Sequence, residues 1–112
     1  MDCLFCKIAQ KQIPANLLYE DENVIAFYDI APQAPVHFLV IPRTHLTSVD
    51  DITKENSVLV AHIFEVIAKL ANDLNLEQGY RVVTNCGKDG GQSVPHLHFH
   101  ALAKRSLAWP PG

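Results

Sequence analysis

The sequence predicts one α+β domain over residues 1–112, built as a five-stranded antiparallel sheet with one long and one short helix. Two observations support this fold class. Five short apolar or alternating segments are joined mostly by brief turns, which favours antiparallel pairing, and one longer segment has apolar residues at helical spacing. The length of 112 residues is typical of a single domain, and no linker or repeat divides the chain.

The first half of the chain contains the predicted short helix and three of the strands. We expect the helix over Phe5–Gln12, because Pro14 disfavours helix at the residue before it. Asp29 lies at the end of the second strand, where a polar side chain can meet a ligand. The three strands are predicted at Leu17–Glu20, Val24–Ile30 and Val36–Ile41.

The second half contains the predicted long helix, which runs from about Lys54 to about Asn75, with Gly79 as its stop signal. The last two strands are predicted at Tyr80–Asn85 and Val94–Leu102, and the tail Trp109–Gly112 is irregular. The helix residues expected to pack on the sheet are Leu59, Val60, Ile63, Val66, Ile67, Leu70, Ala71 and Leu74.

Composition and charge exclude several classes of protein. Hydrophobic residues make up 48% and charged residues 19%, which is typical of a globular chain and not of a disordered one. The net charge of −3 argues against a protein that coats nucleic acid. No apolar run reaches the ~20 residues of a membrane helix. We expect no export signal at the start of the chain, and three cysteines, an odd number, favour reduced thiols in the cytoplasm.

Three histidines at alternate positions form the most informative motif. In a strand His96, His98 and His100 would share one face, about 7 Å apart along the chain, which suits three groups lining one pocket. Imidazoles in such a pocket can bind a metal or attack phosphorus as a nucleophile. The structural alternative is the solvated polar face of an edge strand.

A glycine-rich loop directly before this strand favours phosphate chemistry. In the loop Gly87–Gly91, glycines allow backbone N–H groups to converge on an anion. Gln92 and Ser93 add side-chain donors next to the histidine strand. Taken alone, most such loops are only turns.

Residues 96–102 satisfy every position of the pattern His-φ-His-φ-His-φ-φ, where φ is apolar, and with it the sequence resembles the histidine-triad (HIT) superfamily. The tail Trp109–Gly112 resembles that of the Hint branch, the purine nucleoside phosphoramidate hydrolases. The resemblance covers nearly the whole chain through Phe5–Ile8, Ile13–Ala15, Phe27–Ile30, Pro32–His37, Ile41–Pro42, Asn85 and Gly90–Ser93.

This resemblance implies a fold, a reaction and a substrate class. The implied fold is HIT-like, with two copies of the chain joining their sheets into one ten-stranded sheet in a homodimer. His98 matches the nucleophile that forms a nucleotidyl-histidine, from which water releases a nucleoside monophosphate. The implied substrates are purine nucleoside 5′-phosphoramidates and acyl-nucleotides, and no organic cofactor is implied.

The resemblance also implies roles for other residues. His100 contacts the phosphate, Ser93 the leaving amine, and Asp29 the ribose hydroxyls. His37 has two readings, a hydrogen bond that orients a triad imidazole or a purely structural histidine. The full implied nucleotide-binding set is Phe5, Ile8, Phe27, Asp29, Ile30, Leu39, Asn85, Gly91, Gln92, Ser93, His98, His100 and Trp109.

Cys3 and Cys6 form a Cys-x-x-Cys pair, which as half of a zinc site would need two further ligands. His45 and His96 are the candidates, and bacterial and archaeal HIT proteins that this sequence resembles carry zinc on these four positions. The site would be structural and closed. The alternative is two reduced thiols near a flexible end. Cys86 is expected only to pack.

Two other functions remain open at the sequence level. One is hydrolysis of dinucleoside polyphosphates, and the other is a zinc-stabilised nucleotide-binding scaffold in which hydrolysis is incidental. The Gln92–Ser93 pair and the Trp-Pro-Pro-Gly tail favour the phosphoramidate hydrolase. Tyr28 stands where animal Hint proteins commonly have His, and Pro95 directly precedes the triad. His62 is expected to be a surface residue of the long helix.

Overall fold

A computed structural model describes residues 3–112; Met1 and Asp2, the first two residues of the predicted domain, lie outside the described residues. Among residues 3–112 the sheet has five strands, all in antiparallel pairs, in the order β1-β2-β3-β5-β4, which confirms the predicted α+β class. The elements are α1 (Leu4–Ala9), β1 (Leu17–Glu20), β2 (Val24–Tyr28), β3 (Val36–Pro42), a 3₁₀ turn (Val49–Asp51), α2 (Ser57–Asp73), β4 (Tyr80–Val83), α3 (Gly87–Gly90) and β5 (Phe99–Ala103).

The sheet has a helix on each face, because side chains alternate along its central strands. In β3, Phe38 and Val40 belong to the larger core, which α2 covers. Leu39 and Ile41 point the other way, into a smaller core that includes the inner side of α1. The smaller core carries the candidate site.

Helix α2 packs as predicted, although its end signal is different. The predicted stripe is buried at its centre, and Leu59, Val60 and Leu74 pack at its margin. The helix ends at Asp73, earlier than predicted, and the prediction that Gly79 stops it is wrong. Asn75 adopts a left-handed backbone (φ 57°), and the Leu76 N–H then donates to the Ala71 carbonyl at 2.9 Å.

Three other predicted elements, the short helix, the second strand and the fourth strand, end a few residues earlier than predicted. Helix α1 stops at Ala9 because Lys11 is left-handed (φ 60°). Strand β2 ends at Tyr28, and β4 at Val83, so Asp29 and Asn85 lie just beyond strands.

The glycine-rich loop and the histidine strand are corrected more strongly. Gly87–Gly90 is a short helix, α3, because the Gln92 side-chain oxygen accepts the Gly87 N–H and so holds the turn closed. Strand β5 begins only at Phe99, since the Leu97 N–H pairs with the Leu46 carbonyl of the loop after β3, at 2.6 Å. The predicted alternation of side chains still holds here, because Leu97 and Phe99 are both buried in the larger core.

Within residues 3–112, none of the helices combines the length and the apolar character that crossing a membrane requires.

Candidate functional site

A cavity of about 370 Å³ lies between α1 and the adjoining face of the sheet. Its walls are mainly apolar, and its polar end is formed by His98 and His100, whose ring centroids are 5.0 Å apart, with Asp29 close to His100. Every residue of the predicted apolar slot lines it, with Ile30 fully exposed at the rim. The apolar slot consists of Phe5, Ile8, Phe27, Ile30 and Leu39.

Phe5 joins the apolar end of the cavity to its polar end. Its ring packs edge-on against Phe27, with centroids 5.6 Å apart, and against His98, with centroids 5.0 Å apart. All three side chains are buried. A flat aromatic ligand in the slot would therefore lie directly beside the histidines.

The ring of His98 is held in one tautomer by a backbone carbonyl. Its Nδ1 lies 2.6 Å from the carbonyl oxygen of His96, and because a carbonyl only accepts, Nδ1 must donate. Nε2 of the neutral ring then carries the lone pair. His98 lines the cavity and is only 4% exposed. This arrangement suits a nucleophile.

His37 fixes the tautomer of His100 in a similar way. The backbone N–H of Gln33 donates to Nδ1 of His37 at 3.1 Å, so the proton of the neutral His37 ring is on Nε2. That N–H donates to Nδ1 of His100 at 2.9 Å. His100 therefore keeps its own proton on Nε2, where it is a donor for an anion. Sequence analysis left open whether His37 orients a triad imidazole, and the geometry favours that reading.

Both of these histidines are neutral near pH 7. Burial lowers the pKa of His37, although the Asp29 carboxylate acts in the opposite direction. Burial and then the neighbouring His98 and His37 lower the pKa of His100 to about 4. A neutral His100 with its proton on Nε2 can donate a hydrogen bond to an anion without carrying a full charge.

Asp29 lies at the rim of the polar end, where it has two neighbours. Its Oδ1 accepts the Ala31 N–H at 2.8 Å, which turns the chain after β2, and its Oδ2 is 3.5 Å from Nε2 of His37. Asp29, His37 and His100 could together bind a metal by distance alone. The Gln33 hydrogen bond argues against this, because it leaves His37 Nε2 protonated and without a free lone pair.

The predicted phosphate loop is only partly at the cavity. Ser93 lines it, with Val94, but Gln92 does not. The Gln92 amide is used internally, since its nitrogen donates to the Thr47 and Val94 carbonyls and its oxygen accepts the Gly87 N–H. The Gly91 N–H donates to the Lys88 carbonyl, so it does not converge on an anion site in this conformation.

Two further predicted nucleotide contacts lie outside the cavity lining. Asn85 is half-buried beside Gly90 of α3. Trp109 is 81% exposed in the tail, which the Arg81 guanidinium holds by donating to the Ala108 carbonyl at 2.9 Å. Within one chain, neither side chain reaches the slot.

The predicted metal ligands come together at the N-terminal end of α1. The Nδ1 atom of His96 lies 3.3 Å from Sγ of Cys3, 3.5 Å from Sγ of Cys6 and 3.1 Å from Nδ1 of His45. Sγ of Cys6 is 3.3 Å from Nδ1 of His45, and all four ligand atoms lie within 4.8 Å of one another.

This donor set fits zinc. Around a tetrahedral zinc ion with usual bond lengths, sulfur and nitrogen ligands lie about 3.3–3.8 Å apart, close to the spacing found. The Nε2 of His96 donates to the Pro42 carbonyl at 2.9 Å, which leaves its Nδ1 free to ligate. Burial lowers the pKa of His96 and raises that of Cys6, so zinc would meet a neutral imidazole and displace a thiol proton.

The triad therefore divides between two sites. His98 and His100 line the cavity, whereas His96 belongs to the cysteine cluster. Strand alternation alone predicted one shared pocket for the three histidines. It does not predict this division, because His96 precedes β5 and its contacts come from α1 and the loop after β3.

Sequence analysis missed two features, one in the cavity wall and one away from it. The cavity wall also includes Ile13, Pro14 and Ala15, which follow α1; their apolar character beside the short helix was the only available signal. His62 is not simply a surface residue, since its Nε2 lies 2.6 Å from Oδ2 of Asp21, in the turn before β2. Cys86 packs with Sγ 3.4 Å from Oγ of Ser48.

Comparisons with known proteins cover nearly all of the chain. The family described as "Scavenger mRNA decapping enzyme C-term binding" matches residues 2–108. An uncharacterised HIT-like protein of Synechococcus elongatus is 48% identical over 111 residues, which are 99% of this chain and 97% of that protein. The crystal structure of a HIT family hydrolase from Legionella pneumophila has a TM-score of 0.97 at 49% identity, over 99% of this chain and 100% of that one. A histidine triad protein from Clostridium difficile has a TM-score of 0.93 at 50% identity, over 96% and 95% of the two chains.

Proposed function

The chain belongs to the histidine-triad (HIT) superfamily, and from this we propose that it hydrolyses purine nucleoside 5′-phosphoramidates and acyl-nucleotides to nucleoside monophosphates. The observation that carries the proposal is the state of His98. Its Nδ1–H donates to the His96 carbonyl, which leaves a lone pair on Nε2, and the side chain lines a cavity of about 370 Å³, within the usual size range of small-molecule sites.

The reaction has two displacements at phosphorus. In the first, Nε2 of His98 forms a bond to the α-phosphorus, and the electron pair of the P–N bond leaves with the amine nitrogen, which takes up a proton. In the second, water attacks the nucleotidyl-histidine, the His98–phosphorus bond breaks, and a nucleoside monophosphate is released. The sum is phosphoramidate plus water giving monophosphate plus amine.

Neighbouring groups stabilise the charge on the phosphoryl oxygens and the leaving group. The Nε2–H of His100, fixed by His37, donates to a phosphoryl oxygen. Ser93, at the cavity wall, donates to the leaving amine nitrogen or its acyl equivalent. Gln92, Asn85 and the Gly91 backbone are proposed as further phosphate contacts, which requires the α3 segment to adjust when substrate binds.

The rest of the nucleotide is bound by the apolar slot and its rim. A purine ring in the slot buries apolar surface at roughly 25 cal/mol per Å², and the rings of Phe5 and Phe27 provide most of its aromatic contact. The Asp29 carboxylate accepts hydrogen bonds from the ribose hydroxyls. Its position next to His37, with Oδ2 3.5 Å from Nε2 of that ring, supports a ribose site between the base and the phosphate.

We also propose that the protein is a homodimer with a continuous ten-stranded sheet. Strand β4 is an edge of the sheet, and Tyr80 on it is 41% exposed. Exposed Phe64 on α2 adds an apolar side chain to a surface that a second copy can cover. In such a dimer the tail of one protomer, with Trp109, borders the active site of its partner.

Zinc, when bound by Cys3, Cys6, His45 and His96, supplies a structural cross-link with all four positions filled by protein. No step of the reaction needs it.

The test is hydrolysis of an AMP–lysine phosphoramidate beside diadenosine tetraphosphate, with His98→Ala and the matched control His62→Ala. We expect AMP release from the phosphoramidate, lost in His98→Ala and retained in His62→Ala. Faster cleavage of the dinucleotide would identify a polyphosphate hydrolase instead. AMP binding without turnover of either compound would identify a nucleotide-binding scaffold.

A further inference from the structure

Helix α1 is both a wall of the nucleotide cavity and one side of the cysteine–histidine cluster. Phe5 and Ile8 line the cavity, and Cys6, which lies between them in sequence, points to His45 and His96. Sγ of Cys3 accepts the Cys6 N–H at 3.3 Å, so the cluster also caps the helix. Any movement of the cluster therefore moves the wall.

Nothing intrinsic keeps this helix in place. It has six residues, far fewer than the ~12–15 that an isolated helix needs for marginal stability in water. Among the contacts of the described residues, its position depends on packing and on attachments near both of its ends. At its C-terminal end the Arg43 guanidinium donates to the Ala9 carbonyl, and at its N-terminal end the attachment is the cluster.

The same cluster also reaches the nucleophile. His96 supplies a cluster nitrogen from its side chain and, through its backbone carbonyl, holds Nδ1 of His98 at 2.6 Å. The Phe5 ring packs edge-on against both His96 and His98, with centroids 6.0 Å and 5.0 Å apart. The base wall and the nucleophile thus share one anchor.

We propose that metal occupancy of the Cys3, Cys6, His45 and His96 cluster controls nucleotide affinity by fixing α1 against the cavity. The inference rests on the proposed nucleotide site. With metal bound, Phe5 and Ile8 form a preorganised wall for the base. Without it the helix loses its N-terminal attachment, and part of the binding free energy is used to order the wall again. The cluster is then a positioning centre and takes no part in the reaction.

The experiment measures the Kd of AMP by calorimetry for zinc-loaded protein, for chelator-stripped protein and for stripped protein given one equivalent of zinc. We expect stripping to weaken AMP binding about tenfold or more, since loss of one well-packed apolar side chain has an effect of that size, and zinc to restore it. Amide hydrogen exchange over residues 4–10 should rise on stripping and fall on reloading. Cys3→Ser/Cys6→Ser should resemble stripped protein, whereas Cys86→Ser, a cysteine outside the cluster, should keep its zinc and its affinity.

Three results would overturn the inference, and they are distinct from failure of the proposed function. The first is unchanged AMP affinity after stripping, and the second is unchanged exchange over residues 4–10. The third is global loss of the far-ultraviolet circular dichroism signal on stripping, because the inference confines the effect to α1. If zinc-loaded protein binds no AMP, the proposed function fails and the inference fails with it.

Discussion

At the scale of single residues, the three triad histidines differ because one ring nitrogen of each has a different hydrogen-bond partner. That partner determines what the other ring nitrogen can do. His96 donates to the Pro42 carbonyl and faces the cysteines. His98 donates to the backbone from Nδ1 and keeps a lone pair on Nε2. His100 accepts from His37 and keeps an N–H. Identical side chains two residues apart are thus suited to three different proposed roles, as metal ligand, nucleophile and hydrogen-bond donor.

His37 should affect turnover more than binding. His37→Phe removes the N–H that fixes the tautomer of His100, and we expect kcat to fall roughly 10–100-fold with little change in KM. His37→Gln, which keeps an amide N–H donor, should recover part of this loss. Steady-state kinetics with AMP–lysine phosphoramidate across pH checks both variants. Equal losses in the two variants, with unshifted pH profiles, would show a purely structural role for His37.

At the scale of elements, the centres of helices and strands follow from the sequence pattern and their ends do not. The stripe of α2 repeats over many residues, so packing enforces it. Its end depends on one left-handed residue, Asn75, and apolar periodicity does not record backbone conformation. Likewise α3 is closed by local contacts, in which the Gln92 side chain accepts the Gly87 N–H and the Gln92 N–H donates to the Gly87 carbonyl.

One pair that the sequence did not predict ties α2 to the β1–β2 turn. Hydrogen bonds that His62 donates to the Asp21 carboxylate and then to the Glu65 carboxylate raise the pKa of His62 above its ordinary 6.5. Burial alone would raise the pKa of Asp21, but hydrogen bonds from His62, Tyr19 and the backbone hold it well below its usual range. The sequence separation of 41 residues hides this pair from local pattern analysis.

His62→Ala should reduce the free energy of unfolding by about 1 kcal/mol at about pH 6, the size of a partly exposed charge-assisted hydrogen bond. Because the folded-state pKa of His62 is raised, its contribution is full below its unfolded pKa of 6.5 and is lost as pH rises through the folded value. The Asp21 contribution to stability is kept until strong acid, because the pKa of Asp21 is lowered.

Urea unfolding at about pH 6 and about pH 9 measures the difference in unfolding free energy between His62→Ala and the unmodified protein. As a control, Lys69→Ala, which removes an exposed pair with Asp73, should show no such pH dependence. An equal loss of unfolding free energy in His62→Ala at both pH values would contradict the proposed charge dependence.

At the scale of the whole molecule, the family resemblance predicted both the residues of the apolar slot and the assignment of His96 to the metal cluster, whereas strand alternation alone predicted one shared pocket for the three histidines. Phe5, Ile8 and Phe27 come together because α1 and β2 bury the same core, as their apolar spacing indicates. The separation of His96 from His98 depends on long-range contacts with Pro42 and the cysteines, which strand alternation alone does not contain.

The tail should affect specificity more than stability. Deletion of residues 107–112 removes exposed Trp109, so we expect the free energy of unfolding to change by less than about 0.5 kcal/mol. In the proposed dimer the same deletion opens the partner's leaving-group side, and the ratio of kcat/KM values for a lysine and an unsubstituted amine leaving group should change several-fold. Sedimentation would show whether the dimer persists. An unchanged ratio in a dimeric truncated protein would contradict the proposed role of the tail.

The central claim is that the P–N bond is cleaved in two displacements through a nucleotidyl-enzyme, and the stereochemistry at phosphorus tests it most directly. The measurement uses one diastereomer of an AMP phosphoramidate with sulfur on the α-phosphorus, hydrolysed in heavy-oxygen water. Each in-line displacement inverts phosphorus, so two displacements predict net retention in the released thiophosphate. Net inversion would show that water attacks the substrate directly, and His98 would then not be the nucleophile.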